Sequence, residues 1–521
     1  MTKNNWDLLV VGAGSAGAAL AARAAAAGRR VLLLEGGPDY RSGEMPEVWR
    51  SPNPLRALLD PDATKSFVWR DLMATRTERQ PAQLYWRGRG VGGSSSVNGQ
   101  IAIRPPMEDF DDYVEMGADG WGRDDVLPYF AKLEDDNDYG AQDYHGAGGP
   151  IPIFRTAPSQ WGAVDRALHA AALDAGFGWE DDVNAPGATG VSRYPINSRG
   201  GRRVTTNDAY LEPMRGHQNL EVRGGVVVDR LIIDGDRVTG VTAVVHGETA
   251  EFRADLTVLS AGAIHSPAIL QRSGIGPVDV LENAGIEIRA DLPVGQGLQD
   301  HPVVFVRVPL TEESAVTSVD GRHTNVTVRY TSEGPGAVFN DMLIMSGNQN
   351  VLAMERADVR FGAGAIGVWV NRVYSEGSVS VVSDNPMTQP FVRQRMLDDE
   401  RDLARFRHGI RLVADLCESD AVSAISAGDL RGLNDELFNA IEDDRRLDEF
   451  LLATAADAQH PTSTCRIGRA DDPRAVVASD GRLHGFQGVM VADASVLPFV
   501  PRANTHLAAV MVGEYLADRL S

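Results

Sequence analysis

Six residues near the amino terminus, Gly12-Ala13-Gly14-Ser15-Ala16-Gly17, have types and spacing that suit the binding of a dinucleotide pyrophosphate. Gly12 lets the chain turn out of a strand, Gly14 lets backbone N–H groups approach the phosphates, and Gly17 lets a helix pack closely on a sheet. That helix would point its positive N-terminal end, at Ser15 and Ala16, towards the phosphates. Glu35, followed by Gly36, is placed to accept hydrogen bonds from a ribose diol, and it would repel a 2′-phosphate. By itself this motif leaves NAD and FAD both open.

These residues need a strand, a turn, a helix and a second strand to hold them. The run Leu8–Val11, the Ala-rich stretch after Gly17 and the run ending at Glu35 supply a βαβ unit of about 30 residues. A second small-residue stretch, Trp86 to Gly99, holds five glycines and three serines, too many for a regular element. Such a loop can wrap phosphates or a planar ring closely, and Arg87, Arg89 and Asn98 at fixed places argue against a mere linker. Residues 38–84 lack clean periodicity and read as an irregular excursion, with Trp69 as a packing anchor.

Helical spacing predicts a helix over 160–175 ending at Gly176, and period-two patterning over 219–261 predicts a β-meander. A further small-residue turn at Ala261-Gly262 leads into a helix that ends in Ser273-Gly274-Ile275-Gly276-Pro277. After His301 the character changes, with strands expected at 303–309, 324–330, 366–370 and 377–382 and helices at about 399–416 and 436–456. The last 65 residues return to site-like composition: His460-Pro461-Thr462-Ser463-Thr464-Cys465, then Val489-Met490-Val491 running into Asp493, then Asn504-Thr505-His506 and a closing helix. Asp493 follows a strand as Glu35 does. It can bond a ribityl chain or a pyrophosphate-linked water, or simply cap a helix.

At 521 residues the chain is too long for one compact domain, and 43% apolar with 23% charged residues is ordinary for a globular protein. Fifty basic against 72 acidic residues, a net charge of −22, argues against a nucleic-acid or anionic-membrane partner. Cys417 and Cys465 have no zinc or redox spacing and suggest a reducing compartment. The glycine pattern explains segment 8–27 better than a secretory leader does, and no long apolar run follows. The expectation is a cytoplasmic protein without a membrane span.

Taken together, GAGSAG with Glu35, GRGVGGSSSVNG, GAIHSPAILQRSGIG, and HPTSTCRIG with VADASVLP and NTH resemble the ordered motifs of the glucose–methanol–choline (GMC) flavoprotein oxidoreductase family. The segment Tyr374 to Val379 is similar to that of bacterial alcohol oxidases and dehydrogenases of the hydroxymethylfurfural and aryl-alcohol oxidase type. The resemblance implies an α/β, Rossmann-like FAD-binding domain from 1–155, 219–300 and 456–521. It also implies an α+β substrate domain from 301–455, an antiparallel sheet flanked by helices, with 156–218 mixed.

It further implies FAD as cofactor. Gly12, Gly14, Gly17 and Glu35 would hold the ADP half with Val228 beside the adenine; Val91, Gly92, Asn98 and Gly99 would line the flavin; Asp493, Ala494 and Thr505 would complete the site. Ser15, Ala16, Gly36, Trp69, Arg87 and Ala261 are expected to border it too. Some relatives attach FAD through a histidine where this chain has Val97, so non-covalent FAD is expected. His460 matches the family's catalytic histidine and Asn504 the position that is His or Asn in different members, whereas His506 is expected to point elsewhere.

The implied reaction is oxidation of a primary alcohol, aromatic or furanic, to the aldehyde. A hydride passes to flavin N5 while His460 takes the hydroxyl proton, with O2 favoured as acceptor on the ground that Ala458 is small. The competing readings are a dehydrogenase using another acceptor, a flavin-containing hydroxynitrile lyase without redox turnover, and a plain NAD-dependent dehydrogenase.

Overall fold

A computed structural model describes residues 6–318, 320–349 and 363–520. The apolar runs of the amino-terminal unit form the centre of a five-stranded parallel sheet. Its order is Leu220–Arg223, Val31–Leu34, Leu8–Val11, Leu256–Leu259, Val489–Val491. Leu8–Val11, Val31–Leu34 and Val489–Val491 are buried on both faces, which is why they read as continuous apolar runs and not as alternating ones.

The register aligns Val11 with Leu34 and Leu259, and Leu259 with Val491. Gly12, Glu35, Ser260 and Ala492 therefore leave the sheet together at its carboxyl edge. From the central strand the chain crosses to one side and later returns to the other, which makes this edge the switch point where α/β sheets bind ligands. Residues 219–261 are not one meander: Leu220–Arg223 joins the parallel sheet, and Val226–Asp234, Arg237–Val245 and Glu248–Arg253 form a separate antiparallel sheet.

The second sheet is antiparallel throughout, in the order Ala456–Asp457, Pro302–Val308, Gly364–Val370, Met342–Gly347, Val326–Tyr330, Gly190–Arg193. Its strands alternate. Val304, Val306, Ile344, Ile366 and Val368 face a core built with the helices Ala163–Asp174 and Glu400–Cys417. Val303, Leu343 and Trp369 face the other way, towards Ile101, Tyr194 and Ala503, with Phe305 and Met345 packed against them. Gly367 is needed here, because a Cβ on it would lie 2.6 Å from the Phe305 ring. A third sheet mixes segments distant in sequence, pairing Phe391–Arg393 with Met73–Thr75 and Gly377–Ser380 with Gln296–Leu298. No helix among the described residues is long and apolar enough to cross a membrane.

Candidate active site

Between the carboxyl edge of the parallel sheet and the face of the antiparallel one that carries Met345 and Trp369 lies a cavity of about 460 Å³. It runs from Gly12, Glu35 and Val228 at one end to His460, Asn504 and Trp369 at the other. Three helices begin at its wall: Ser15–Ala26, Gly262–Arg272 and Thr505–Asp518. Their N-terminal ends bring positive partial charge to the cavity, the environment a pyrophosphate needs.

The glycines of the first motif separate by role. Gly12 has φ +100° and no room for a Cβ, which would sit 2.5 Å from the Ser260 carbonyl. A Cβ on Gly17 would sit 2.0 Å from the Gly12 oxygen, so this residue lets the helix approach the turn and does not itself border the cavity. Gly14 does border it, with Ser15, Ala16 and Gly36. Gly93 of the second loop touches Gly14 so closely that a Cβ would come within 2.7 Å of its Cα.

Glu35 borders the cavity, but its carboxylate is also a strut. Oε2 accepts the Ala13 N–H at 3.0 Å, and Oε1 accepts those of Gly37 and Gly90 at 2.8 and 2.9 Å. It thus ties the two glycine loops together, with lone-pair capacity left for a ribose hydroxyl. Trp69 stands against Gly36 and the His265 ring, whose centroid is 4.7 Å away.

Asp493 both caps and lines: its carboxylate accepts Ser495 N–H and Gly262 N–H at 2.8 Å each and Ser266 Oγ at 2.5 Å, and burial raises its pKa. Ala261, Ala494 and Thr505 line the same wall.

In the second loop Asn98 and Gly99 border the cavity, as does Arg87, whose Nη2 donates to the Gln459 carbonyl at 2.7 Å. Val91 and Gly92 do not, contrary to expectation. The Val91 N–H donates to the Pro38 carbonyl and the Gly92 N–H to the Ala13 carbonyl, so both residues anchor the loop from behind. Val97 lies on the wall.

At the far end His460 is buried, and its Nε2 lies 3.2 Å from Asn504 Nδ2. Gln459, in the left-handed region at φ +65°, bends the backbone immediately before it. Burial, with the nearby His301 and Arg87, holds the His460 pKa well below 6.5, so the ring is neutral and able to accept a proton. The Trp369 ring stands 5.5 Å from it.

His506 also borders the cavity but turns to the phosphate side, because Thr505 starts a helix. Its Nε2 takes Asn197 Nδ2 at 3.1 Å and its Nδ1 lies 3.4 Å from Ser15 Oγ. Ile101, Tyr194, His323, Met345 and Trp369 complete the chamber opposite His460. Sequence reasoning passed over them because each sits in an unremarkable apolar or loop segment, and only the alternation of the sheet brings them together.

Models of the amino- and carboxyl-terminal halves of GMC oxidoreductases match residues 6–303 and 373–513. The chain belongs to the GMC oxidoreductase family. It is 35% identical to the 5-(hydroxymethyl)furfural oxidase of Methylovorus sp. (strain MP688), over all of this chain and 99% of that one. It is 31% identical to the mitochondrial choline dehydrogenase of Homo sapiens, over 99% of this chain and 90% of that one. The fold matches pyridoxine 4-oxidase from Mesorbium loti with a TM-score of 0.88 and 30% identity, over 99% of both chains. GMC oxidoreductases are FAD-dependent enzymes that act on alcohols, and the cavity fits that cofactor: glycine loops and helix N-termini at one end, a buried neutral imidazole at the other.

Proposed function

We propose that this GMC oxidoreductase oxidises a primary alcohol with an aromatic or furanic ring to the aldehyde, with non-covalently held FAD and with O2 as acceptor. The observation that carries the reading is the neutral His460 ring, 3.2 Å from Asn504, set between a dinucleotide cradle and an apolar chamber floored by Trp369 and Met345. FAD supplies the hydride acceptor. The residues of the chain do the rest: His460 accepts the hydroxyl proton, and the Asn504 carboxamide N–H holds the developing alkoxide. Trp369 and Met345 offer an aromatic alcohol a flat apolar surface that excludes water.

The choline dehydrogenase relatives raise a second reading, a quaternary ammonium substrate, which the charges disfavour. Among the described residues the acids that border the cavity are Glu35 and Asp493, both on the dinucleotide side. Near the chamber His323 is held down to about 3 by burial and by Arg322 and Arg203, a cationic neighbourhood that repels trimethylammonium.

Val97 in place of an attachment histidine supports non-covalent FAD, and the small Ala458 beside His460 supports access of O2. The two free, buried cysteines support a reducing, cytoplasmic location. The test is anaerobic mixing with benzyl alcohol, 5-(hydroxymethyl)furfural and choline, then admission of air. Bleaching by the ring alcohols, none by choline, and prompt return of the yellow colour in air are expected. Persistent bleaching in air identifies a dehydrogenase, and no bleaching by any alcohol overturns the reading.

A further inference from the structure

An imidazole acts as a base only through the nitrogen that lacks a proton, and the surroundings of His460 determine which nitrogen that is. The chain of contacts starts at a backbone carbonyl. His301 Nε2 lies 3.0 Å from the Asn371 oxygen. A carbonyl can only accept, so His301 Nε2 carries the proton and, in a neutral ring, Nδ1 is bare. The other tautomer would set two lone pairs against each other at that distance, even though the Pro501 carbonyl also faces this ring. Burial holds the His301 pKa down to about 4, which keeps the ring neutral.

The bare His301 Nδ1 lies 2.9 Å from His460 Nδ1. Two bare nitrogens do not approach so closely, so His460 Nδ1 carries a proton and donates it. His460 Nε2 is then bare, and it is the nitrogen that meets Asn504 Nδ2 at the cavity wall. One buried carboxylate fixes the two backbones that carry the rings: Asp300 Oδ1 accepts the His301 N–H at 2.8 Å and the His460 N–H at 2.7 Å. The opposite Asp300 oxygen is held by Tyr85 Oη at 2.5 Å and Gln394 Nε2 at 3.3 Å.

We propose that His301 is a positioning residue that locks His460 in the tautomer protonated at Nδ1, so that Nε2 takes the substrate's hydroxyl proton. This rests on His460 being the base. In that step the O–H bond breaks, an N–H bond forms at Nε2, and the positive charge is shared with His301 through the Nδ1 pair. The Asn371 carbonyl cannot take a proton, so the relay ends there and the proton leaves by the route it entered.

The test uses holoenzyme labelled with ¹⁵N-histidine, in which protonated and bare ring nitrogens are told apart by chemical shift, with the His460 signals assigned by their loss in His460→Asn. The expected wild-type spectrum has Nδ1 protonated and Nε2 bare. In His301→Leu, which removes the acceptor, the His460 tautomers mix or reverse, and flavin reduction at saturating alcohol slows by about 10²–10⁴-fold, the scale on which a misassigned base tautomer costs catalysis. KM changes little. His301→Asn, which returns an acceptor oxygen near the place of Nδ1, restores both the tautomer and most of the rate.

A His460 protonated at Nε2 in the wild type overturns the proposal, and that measurement needs no variant of His301 to fold. Retention of the wild-type tautomer in His301→Leu, with FAD bound, overturns it equally. If instead the tautomer is as expected while His460→Ala reduces flavin at the wild-type rate, the assignment of the base fails and the tautomer assignment stands.

Discussion

Removal of the His460 imidazole takes away the proposed proton acceptor and leaves Gly12, Gly14 and Glu35 at the other end of the cavity in place. His460→Ala is therefore expected to keep FAD, seen in its visible spectrum, and to slow flavin reduction by about 10²–10⁴-fold, the usual worth of a positioned base. The histidines around the cavity carry a pH signature as well. His265, His301 and His506 are held down to about 4 and His460 well below 6.5, chiefly by burial. A folded-state pKa depressed below 6.5 means that the unfolded chain binds protons first, so their stability is complete above pH 6.5 and is lost as the pH falls towards 4. Each contributes up to about 1.4 kcal/mol per pH unit. The melting temperature should fall between pH 7.5 and 5; an unchanged value would contradict neutral burial. His460 and Asn504 were legible as residues because the motifs around them are. His301 was not, since its part comes from a contact with a ring 159 positions away. Val91 and Gly92 were placed on the flavin because their motif lines it; in the fold only one side of that loop can face inwards, and theirs holds the loop to Pro38 and Ala13.

The helix Ser15–Ala26 and the turn before it depend on one missing side chain. A Cβ on Gly17 meets the Gly12 carbonyl at 2.0 Å, a backbone atom that cannot swing aside, with the Ser260 side chain 3.0 Å away. Gly17→Ala should cost at least the 1–3 kcal/mol or so of an overpacked core and lose FAD before it loses the rest of the fold, read by flavin content and circular dichroism. Wild-type flavin content in that variant would contradict the close approach.

Elements with a clear period were legible: Glu400–Cys417 and Ala163–Asp174 fall within two or three residues of the expected helices. The strand Met342–Gly347 was missed because it is apolar on both faces and so shows no alternation. The helix expected over 436–456 is two, Asp435–Ala440 and Asp444–Thr454. Asp443 restarts the second by accepting the Arg446 N–H at 3.0 Å, a cap that a continuous apolar period hides.

Across the whole molecule, segments from both ends and the middle of the chain converge on one cavity, and no local pattern reports that convergence. The parallel sheet was readable because its strands carry the motifs. The chamber was not, because Trp369, Met345 and Tyr194 come from three different strands or strand ends. The dinucleotide end of the cavity gathers loops from residues 12–16, 86–99, 260–263 and 493–494, so cofactor and fold should be linked. FAD at 100 times its Kd should stabilise the protein by about 2.7 kcal/mol over the flavin-free form, seen as a rise in melting temperature that grows with FAD concentration. A melting temperature indifferent to FAD would place the cofactor elsewhere.

Away from the cavity, the cluster Glu134, Asp136 and His145 has the ligand types and proximity of a metal site. It is instead cross-braced: Arg104 pairs with Glu134, Arg155 with Asp136 and Asp182, and His145 bridges Glu134 and Asp182 at 2.7 Å on each side. His145→Ala leaves buried carboxylates short of a partner and should cost about 3–5 kcal/mol in denaturant unfolding. A change below 1 kcal/mol would show that the cluster holds no charged histidine.

The proposed reaction needs His460 to take the hydroxyl proton of the alcohol while bound FAD would accept the hydride. The most direct measurement is stopped-flow reduction of the flavin by benzyl alcohol without oxygen, in the wild type and in His460→Ala with equal FAD content. The expected result is full bleaching in the wild type and a rate about 10²–10⁴-fold lower in the variant. Equal rates, or a wild-type flavin that no alcohol bleaches, would contradict it.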